Sequence, residues 1–569
     1  PWTVSARGVD ALRAQAGRLL EHLVDHPGVR PLDVGHSLVT TRSAFEHRAV
    51  LVGDDRDELT GGLAALAAGE QADTVVRGIA DVDGRTVFVF PGQGSQWAGM
   101  AVELLDTEPV FAARLAECAD ALRPYVDWSL FDVLREEPGA PGLDRVDVVQ
   151  PASFAVMVAL AALWQSAGVR PEAVVGHSQG EIAAACVAGV LSLDDAARVV
   201  ALRSRAIVAL AGEGGMVSLG LPAEQVVERI AGYGGRISVA AYNGPRSTVV
   251  SGEPAALDEL VAACETEEIR ARRVAVDYAS HSAQVERIED ALAEALAPVR
   301  SRQAEIPMFS TLTGEWLTPG DVGPDYWYRN LRHTVRFERA VRGLLADGFR
   351  TFVECSAHPV LGMAVQETVE AVGTEDPTVV IGSLRRGEGG RRRFRLSLAE
   401  AYVRGAAVDW STIYGPHAPR RVELPTYAFQ GQRYWLADVL TAPSELPVDR
   451  VDAQFWEAVE SQQLERLADT LVVDESALGQ VLPALSAWRR QRREQSTVDS
   501  WRYRVTWKPV PQDRAAGLTG QWLVVLPAGL ETDETVSTVL SGLERFAERI
   551  GTVAVPATGA DRASVAGLV

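Results

Sequence analysis

The chain has 569 residues, of which 47% are hydrophobic and 23% are charged, and its formal net charge is −21. This composition is that of an ordinary soluble globular protein, and the length exceeds what one hydrophobic core can organise, so we expect three or four domains. The negative charge argues against nucleic acids and anionic membrane surfaces as binding partners.

Cysteine usage and hydropathy narrow the class of protein further. The four cysteines are scattered without metal-ligand spacing, and they predict neither a metal site nor a disulfide framework. The longest apolar run, Phe154–Trp164, is too short to span a bilayer, and no signal or transit peptide is recognisable. We therefore expect a cytoplasmic protein. Because the chain starts at Pro1 and stops at Val569 within an unfinished pattern, we also expect a piece of something larger.

Residues 1–80 alternate short strand and helix signals, and no cluster of reactive side chains interrupts them. Apolar residues recur at helical spacing across Val9–Val24, and extended segments lie at Trp2–Ser5 and Arg48–Val52. We interpret this part as a small α+β linker domain.

A second domain is predicted over residues 81–383, and it begins with a buried strand, Val87–Phe90. The strand runs into a glycine-rich turn that contains Gln93 and lacks the spacing of phosphate-binding loops. The turn is either an ordinary strand–helix connection or a loop whose backbone N–H groups line a site.

The segment Val174–Glu181 is typical of a nucleophile elbow. An apolar strand leads into Gly-x-Ser-x-Gly, and an alanine-rich helix follows up to Val190. Glycines on both sides of Ser178 allow a sharp turn that projects the serine hydroxyl. The helix that starts there would direct free N–H groups at an oxyanion.

Between this elbow and the next reactive residue, residues 213–277 read as β-α-β-β-α-β, with a last strand at Arg272–Asp277. That order is the ferredoxin-like unit. The alternation of strands and helices around it predicts an α/β fold with a largely parallel sheet, so we expect an α/β-hydrolase-like core with this unit inserted.

A serine nucleophile needs a base, and four histidines are candidates: His177, His281, His333 and His358. His177 adjoins Ser178, but successive side chains diverge at a sharp turn. His281 follows a strand end among small neighbours, and we favour it as the base. On a later helix, Arg203 is either a surface arginine or, if buried, a cation able to pair with a substrate carboxylate.

Three further parts follow the second domain. Residues 384–445 contain an arginine run (385–395), which we interpret as a solvated helix face, and an extended aromatic segment, Leu424–Trp435, which we interpret as a wrapping linker. The helical spacing of apolar residues over 446–498 predicts amphipathic helices that need a partner to bury their apolar faces. Residues 499–569 predict an incomplete α/β domain with strands at Trp501–Trp507 and Trp522–Leu526 and a helix over Thr535–Arg549.

The chain closely resembles the acyltransferase domain of modular, type I polyketide synthases. The resemblance rests on five motifs in the expected order, which lie at Phe90–Gln96, Gly176–Glu181, Arg203, Tyr278–His281 and Asn330–Arg332. The flanks are similar to that family as well: a ketosynthase-to-acyltransferase linker before the domain, then a post-acyltransferase linker, a helical dimerisation element and the start of a ketoreductase structural subdomain.

The resemblance implies roles for individual residues. Ser178 would be the nucleophile and His281 the general base, with the backbone N–H groups of Gln93 and Gln179 as the oxyanion hole. Arg203 would hold the free carboxylate of the extender unit. The backbone carbonyl of Asn330 would orient His281.

It also implies the reactants and partners. Acyl-CoA would be the donor, and the phosphopantetheine thiol of an acyl carrier protein would be the acceptor. No bound cofactor or metal is expected. Ketosynthase and ketoreductase domains of the same module would be neighbours, and the full synthase would be a homodimer.

The pattern Tyr278–His281 is similar to that of methylmalonyl-selective members, and Gln179 agrees with it. A small Ser280 leaves room for an α-methyl group that a phenylalanine would crowd. One methyl discriminates by only about 1–3 kcal/mol, so malonyl and ethylmalonyl remain open. Two other hypotheses stay beside this one: a serine hydrolase of α/β-hydrolase type, for which no acid is evident between serine and histidine, and a structural module without catalysis.

Overall fold

The computed structural model describes residues 1–318, 320, 322–431, 450–501, 518–544 and 547–555. The described chain divides into two compact units, residues 1–432 and 433–569. All the residues assigned to chemistry lie in the first unit.

The first unit opens with a three-stranded antiparallel sheet packed against helices. Its elements are β1 (Trp2–Ala6), α1 (Val9–Asp25), α2 (Pro31–Thr41), β2 (His47–Leu51), α3 (Arg56–Ala68) and β3 (Val75–Ile79). The buried face of α1 contains Leu12, Leu19 and Leu23, each at most 5% exposed, whereas Val9 and Val24 at its two ends are exposed. This part has its own apolar core.

The large α/β domain starts with a strand that is buried over its last four residues and a group of core helices. These elements are β4 (Arg85–Phe90), α4 (Val102–Thr107), α5 (Pro109–Leu122), α6 (Leu130–Arg135), α7 (Val146–Ser166), β5 (Ala173–Gly176), α8 (Gly180–Val187) and α9 (Leu193–Ile207). Among the helices of the described ranges, only α7 is long and apolar enough to cross a membrane by length and composition, and it is buried in the core.

A four-stranded antiparallel sheet is inserted after α9. It comprises β6 (Gly215–Leu219), α10 (Ala223–Ile230), β7 (Ile237–Gly244), β8 (Ser247–Gly252), α11 (Pro254–Thr266) and β9 (Ala271–Arg273). The strand order is β7-β8-β6-β9, which is the ferredoxin-like arrangement. The strand expected to reach Asp277 ends at Arg273, and Val274 and Val276 beyond it line a cavity.

The chain then returns to the large domain. The returning elements are α12 (Glu289–Leu296), β10 (Met308–Ser310), β11 (Glu315–Trp316), α13 (Pro324–Arg332), α14 (Phe337–Ala346), β12 (Phe349–Glu354), α15 (Gly362–Val372) and β13 (Val379–Gly382). The sheet order is β11-β10-β5-β4-β12-β13, and every pair except β10–β11 is parallel. The carboxyl ends of the parallel strands therefore meet at one edge, where the elbow lies.

The sequence predicted that the arginine run would be a solvated helix face, and this prediction is wrong. The run opens α16 (Arg391–Val403), where Arg391 pairs with Glu108 at 2.7 Å and Arg392 pairs with Glu58 at 2.9 Å. Glu108 is the residue just before α5, and Glu58 lies in α3, so the arginines join the large domain to the first part of the chain. The prediction was wrong because composition alone does not reveal acidic partners about 280 to 330 residues away.

After α17 (Ser411–Tyr414) the chain runs extended back over the first sheet. Tyr427 accepts a hydrogen bond at its hydroxyl from the Arg7 N–H and one at its carbonyl from Arg18, and its ring packs on the first core with Leu424. The wrapping interpretation therefore describes residues 424–431. The rest of that segment, up to Trp435, lies outside the described residues.

Within residues 450–501, 518–544 and 547–555, the second unit contains four helices and a two-stranded parallel sheet. The elements are α18 (Arg450–Glu460), α19 (Leu464–Leu471), α20 (Glu475–Ser500), β14 (Leu518–Pro527), α21 (Glu534–Leu543) and β15 (Ala547–Val555). The helix predicted over Thr535–Arg549 ends at Leu543, because alternating apolar residues from Ile550 onward pair with β14 instead. The strand predicted at Trp501–Trp507 lies, beyond Trp501, outside the described residues.

Candidate active site

The turn between β5 and α8 carries Ser178 in a left-handed backbone conformation, with φ of 54°. The backbone approaches itself closely here. A Cβ on Gly176 would lie 2.2 Å from the Glu181 backbone nitrogen, and one on Gly180 would lie 2.1 Å from the Phe90 carbonyl oxygen. Both positions therefore require glycine, and the turn presents the serine at the carboxyl edge of the sheet.

Ser178 and His281 are hydrogen-bonded across 103 residues of chain. The serine Oγ lies 2.9 Å from His281 Nε2. His281 Nδ1 lies 2.7 Å from the backbone carbonyl of His333, and since a carbonyl only accepts, Nδ1 carries the proton and Nε2 presents its lone pair to the serine. His281 also has a left-handed backbone, with φ of 61°.

The carbonyl that orients His281 belongs to His333 and not to Asn330, which corrects the sequence prediction. Asn330 is inside α13, whereas His333 follows the last helical residue in an extended conformation, so its carbonyl is free to turn toward the imidazole. The backbone N–H of His281 donates to Leu331, which ties the two segments together at a second point.

Burial keeps His281 neutral. Its removal from water, and then the charge of Arg203, lower the pKa of His281 to about 3. His177, the alternative base, hydrogen-bonds through Nε2 to the Asn243 side-chain oxygen at 2.8 Å and packs edge-on against Phe337. It therefore faces the inserted subdomain. His358 accepts a hydrogen bond at Nδ1 from the Arg386 backbone N–H.

Arg203 is a buried cation, only 1% exposed. Its guanidinium donates to the side-chain oxygens of Gln150 at 3.4 Å and Asn330 at 3.3 Å, and its Nε has no partner among the described residues. Burial lowers the pKa of Arg203 to about 10, so it remains charged at neutral pH. Within the described ranges it forms no ion pair, and the site holds a positive charge that only neutral oxygens solvate.

Asn330 connects this cation to a buried carboxylate. Its side-chain nitrogen donates to Glu181 at 2.8 Å and to the Ser178 carbonyl at 3.3 Å. Glu181 is fully buried and also accepts hydrogen bonds from Thr311 and Tyr326. Burial raises the pKa of Glu181, and these hydrogen bonds offset part of that effect.

The two glutamines expected at the oxyanion position flank Ser178. Neither Gln93 nor Gln179 uses its backbone N–H in a hydrogen bond within the described part of the chain. The Gln93 side-chain oxygen accepts from Tyr278 and from Gln150. The Gln179 side chain is 3% exposed, and neither its oxygen nor its nitrogen has a partner among the residues described.

A cavity of about 230 Å³ joins these groups between the large domain and the inserted subdomain. Ser178, His281, Gln93, Gln179, Tyr278 and Ser280 line it from the large domain, and Met216, Ser218, Ala241, Asn243 and Val249 line it from the insertion. Arg203 and Asn330 lie behind this lining, next to Gln150. The predicted site residues are thus brought together, although the contribution of Asn330 comes from its side chain.

Several site residues were not predicted. Glu181 could have been suspected, since it is the one charged residue in α8 and the helix is otherwise made of glycine and apolar residues. Gln150 and Asn243 carry no comparable signal. A backbone carbonyl such as that of His333 has no signature in a sequence at all.

Comparisons with known proteins identify the families that parts of the chain match. The family model for the acyl transferase domain matches residues 87–408, that for the polyketide synthase dimerisation element domain matches 452–494, and that for the CurL-like, PKS C-terminal region matches 2–63. The chain is 54% identical over 578 residues to polyketide synthase GfsA of Streptomyces halstedii, with all of this chain and 8% of GfsA covered.

Two further comparisons cover the catalytic part. Mycoketide-CoA synthase of Mycobacterium tuberculosis is 55% identical over 439 residues, which cover 77% of this chain and 10% of that protein. The crystal structure of the acyltransferase domain from module 8 of the salinomycin polyketide synthase is 60% identical with a TM-score of 0.71, and it covers 72% of this chain and 97% of the other. The chain thus spans about a tenth of the curated relatives it matches.

Proposed function

The chain belongs to the acyltransferase domain family of modular polyketide synthases, and from this premise we propose that it transfers a methylmalonyl extender unit from CoA to the phosphopantetheine thiol of an acyl carrier protein. One observation carries the proposal. The hydrogen-bonded pair of Ser178 and His281 lies at one cavity with a buried, unpaired cation, Arg203, behind its wall. A transferase of dicarboxylic thioesters needs both.

In the first half-reaction, Ser178 Oγ attacks the thioester carbonyl while its proton moves to His281 Nε2. The tetrahedral oxyanion accepts hydrogen bonds from the N–H groups of Gln93 and Gln179, a type of stabilisation that often contributes most to such catalysis. The C–S bond then breaks, and the CoA sulfur takes the proton from Nε2. Acyl-Ser178 and free CoA result.

In the second half-reaction, the carrier thiol gives its proton to His281 and attacks acyl-Ser178. The ester C–O bond breaks, and Nε2 returns the proton to the serine oxygen. The depressed pKa of His281 favours rapid return of this proton, because the imidazolium is poorly solvated in the buried site.

Arg203 is proposed to bind the free carboxylate of the extender unit. A guanidinium that only neutral oxygens solvate gains substantially from a carboxylate, since ionic hydrogen bonds are about twice as strong as neutral ones. Gln150 lines the cavity and also accepts a hydrogen bond from Arg203. The Gln179 amide lines the same cavity, and among the described residues it has no hydrogen bond to lose when it moves. Its nitrogen would also donate to the arriving carboxylate.

The choice of methylmalonyl rests on the small side chain of Ser280 in the cavity wall. Ser280 is 7% exposed and lines the cavity beside Tyr278, whose hydroxyl is engaged by Gln93. A serine at this position leaves space for an α-methyl group. Because one methyl group is worth about 1–3 kcal/mol, we expect a preference and not an exclusion of malonyl.

The partners follow from the flanking regions. The stretch matched by the dimerisation element leaves apolar side chains exposed, including Val472 at 90% and Trp488 at 51%, which supports homodimerisation of the whole synthase. Ketosynthase and ketoreductase domains as neighbours, and a cytoplasmic location, remain predictions.

Intact-mass measurement after incubation with methylmalonyl-CoA tests the proposal. The chain should gain one methylmalonyl group, and the S178A variant should gain none. Competition among malonyl-, methylmalonyl- and ethylmalonyl-CoA then reports extender choice as the ratio of acyl masses. Equal labelling of S178A would overturn the acyl-serine mechanism, and an excess of malonyl would overturn the choice of substrate alone.

A further inference from the structure

Two exposed arginines follow the last strand of the large sheet. Arg385 and Arg386 come three and four residues after β13. Strands β13, β12, β4 and β5 are parallel, so β13 ends at the same sheet edge as Ser178. Three strand spacings separate β13 from β5, which corresponds to about 14 Å. The arginines therefore lie beside the active-site opening and outside contact with Ser178.

Contacts connect these arginines to the rim of the cavity. The Arg386 guanidinium donates to the Gln96 carbonyl at 3.4 Å, and its backbone N–H donates to His358 Nδ1 at 3.2 Å. Gln96 ends the loop that begins at Gly92, and Val360, two residues after His358, lines the cavity. The two loops touch, since a Cβ on Gly94 would lie 3.5 Å from Val360 Cγ1.

A buried carboxylate holds this rim in place. Glu354 is 2% exposed, and it accepts backbone N–H hydrogen bonds from Val360, Leu361 and Gly362 at 2.7 to 3.0 Å. Ser356 donates a fourth hydrogen bond to it. The turn that presents His358 and Val360 is thus fixed to the end of β12, and the neighbouring arginines have a stable support.

The side chains of Arg385 and Arg386 are exposed, and Glu388, the acidic residue of the same turn, hydrogen-bonds to Arg385 through backbone atoms. Across the described ranges neither arginine forms an ion pair, whereas Arg391, Arg392 and Arg393 shortly after them each do. The two cations together lower the pKa of His358 after the effect of burial, so this histidine adds no charge of its own at neutral pH. In a chain of net charge −21, this is a local positive site at the mouth of the cavity.

We propose that Arg385 and Arg386 bind the phosphate at the far end of the pantetheine arm of the thioester. The inference rests on the proposed function, in which the reacting thioester is at Ser178 and the arm leaves through the opening. Guanidinium groups match phosphate oxygens in geometry and charge. CoA and a carrier protein both present a phosphate at that end of the arm, so the chemistry recognised is the same in both half-reactions.

The donor side is tested with methylmalonyl-CoA and with methylmalonyl-pantetheine, which lacks phosphate. In the R385A/R386A double variant we expect the KM for the CoA thioester to rise about tenfold at low salt and that for the pantetheine thioester to stay unchanged, since exposed ionic contacts are modest and screened. R170A is the control for loss of an exposed arginine elsewhere, and both KM values should stay unchanged in it: Arg170 is exposed and precedes β5 at the opposite sheet edge.

The results distinguish a failure of the phosphate site from a failure of the proposed function. An equal change of KM with both thioesters, or no change with either, overturns the phosphate site while Ser178 is still acylated. Failure of both thioesters to acylate Ser178 in the unaltered chain overturns the proposed function itself.

The acceptor side is tested by transfer from acyl-Ser178 to phosphopantetheine and to pantetheine. A fall in the preference for phosphopantetheine in the double variant supports a site that serves the carrier as well as CoA. An unchanged preference together with the KM effect assigns the site to CoA alone. If the double variant keeps both the preference for phosphopantetheine and the affinity for CoA, the proposal is overturned.

Discussion

The side-chain nitrogen of Asn330 donates to the carboxylate of Glu181 at 2.8 Å, and this contact fixes which face of the amide meets Arg203. With its nitrogen bound to Glu181 and to the Ser178 carbonyl, Asn330 can present only its oxygen to the guanidinium. Glu181 is itself held by Thr311 and Tyr326. The orientation of the proposed carboxylate anchor thus depends on a buried acid that does not touch the substrate.

Replacing Glu181 by glutamine should weaken selection for a carboxylated acyl group. The new amide nitrogen is a donor where donors from three residues already converge, so Asn330 loses its fixed orientation and can turn its own nitrogen toward Arg203. We expect the ratio of kcat/KM for methylmalonyl-CoA over propionyl-CoA to fall about tenfold. Acylation rates with the two thioesters measure it.

E354Q is the matched control for E181Q. Glu354 is also a buried carboxylate with several hydrogen-bond donors, and burial raises its pKa to about 7, but it holds the rim and not Asn330. If E181Q and E354Q both lose rate equally with the two thioesters, Glu181 has no positioning role. That result would indicate a general loss of structure.

Replacing Arg203 by methionine should remove the preference for dicarboxylic thioesters. The variant loses the buried cation but retains most of the volume, so packing beside Gln150 and Asn330 is preserved. We expect kcat/KM for methylmalonyl-CoA to fall about 100-fold or more and that for propionyl-CoA to hold or rise. The same loss of kcat/KM with propionyl-CoA would show that Arg203 does not recognise the carboxylate of the substrate.

The local features of the site could be predicted from the sequence, because a few adjacent residues determine them. The elbow at Ser178 is set by glycines two residues away on each side, and the ferredoxin-like order follows from the succession of short elements. Glu181 and Asn330 are 149 residues apart, and their contact depends on how α8 and α13 pack. No local pattern encodes such a pair.

The backbone carbonyl that orients His281 is a second feature that the sequence could not locate. The sequence placed it at Asn330, three residues from its true position at His333, because a family motif marks side chains and not backbone oxygens. The geometry of the helix end decides which carbonyl is free. The prediction of the extended segment holds at Tyr427, whose ring packs on the first core, whereas Phe429 is 81% exposed.

Replacing Ser280 by phenylalanine should shift extender choice toward malonyl. The ring would occupy much of a cavity of about 230 Å³ next to the position of the α-substituent. We expect the methylmalonyl to malonyl ratio to fall about tenfold, the effect of one crowded methyl group. S280A, which keeps the space, should retain the original ratio in the same competition assay. A comparable shift in S280A would point to the serine hydroxyl instead of its size.

His281 should make the stability of the acyltransferase unit sensitive to acid. Burial and the Arg203 charge lower its pKa from 6.5 to about 3 in the folded chain. Below pH 6.5 the unfolded chain therefore binds a proton that the folded chain does not, and the stabilisation is lost progressively as pH falls from 6.5 toward 3. Between pH 7.5 and pH 5.5 this amounts to about 1.4 kcal/mol.

Urea unfolding of the unaltered chain and of H281Q at those two pH values isolates this contribution. The pKa of His177 is also lowered by burial, but His177 is present in both proteins and its effect cancels in the comparison. Acidification should cost the unaltered chain about 1.4 kcal/mol more than it costs H281Q. If both proteins lose the same free energy of unfolding, His281 is already protonated in the folded state at pH 5.5, and its assignment as a neutral base at acidic pH fails.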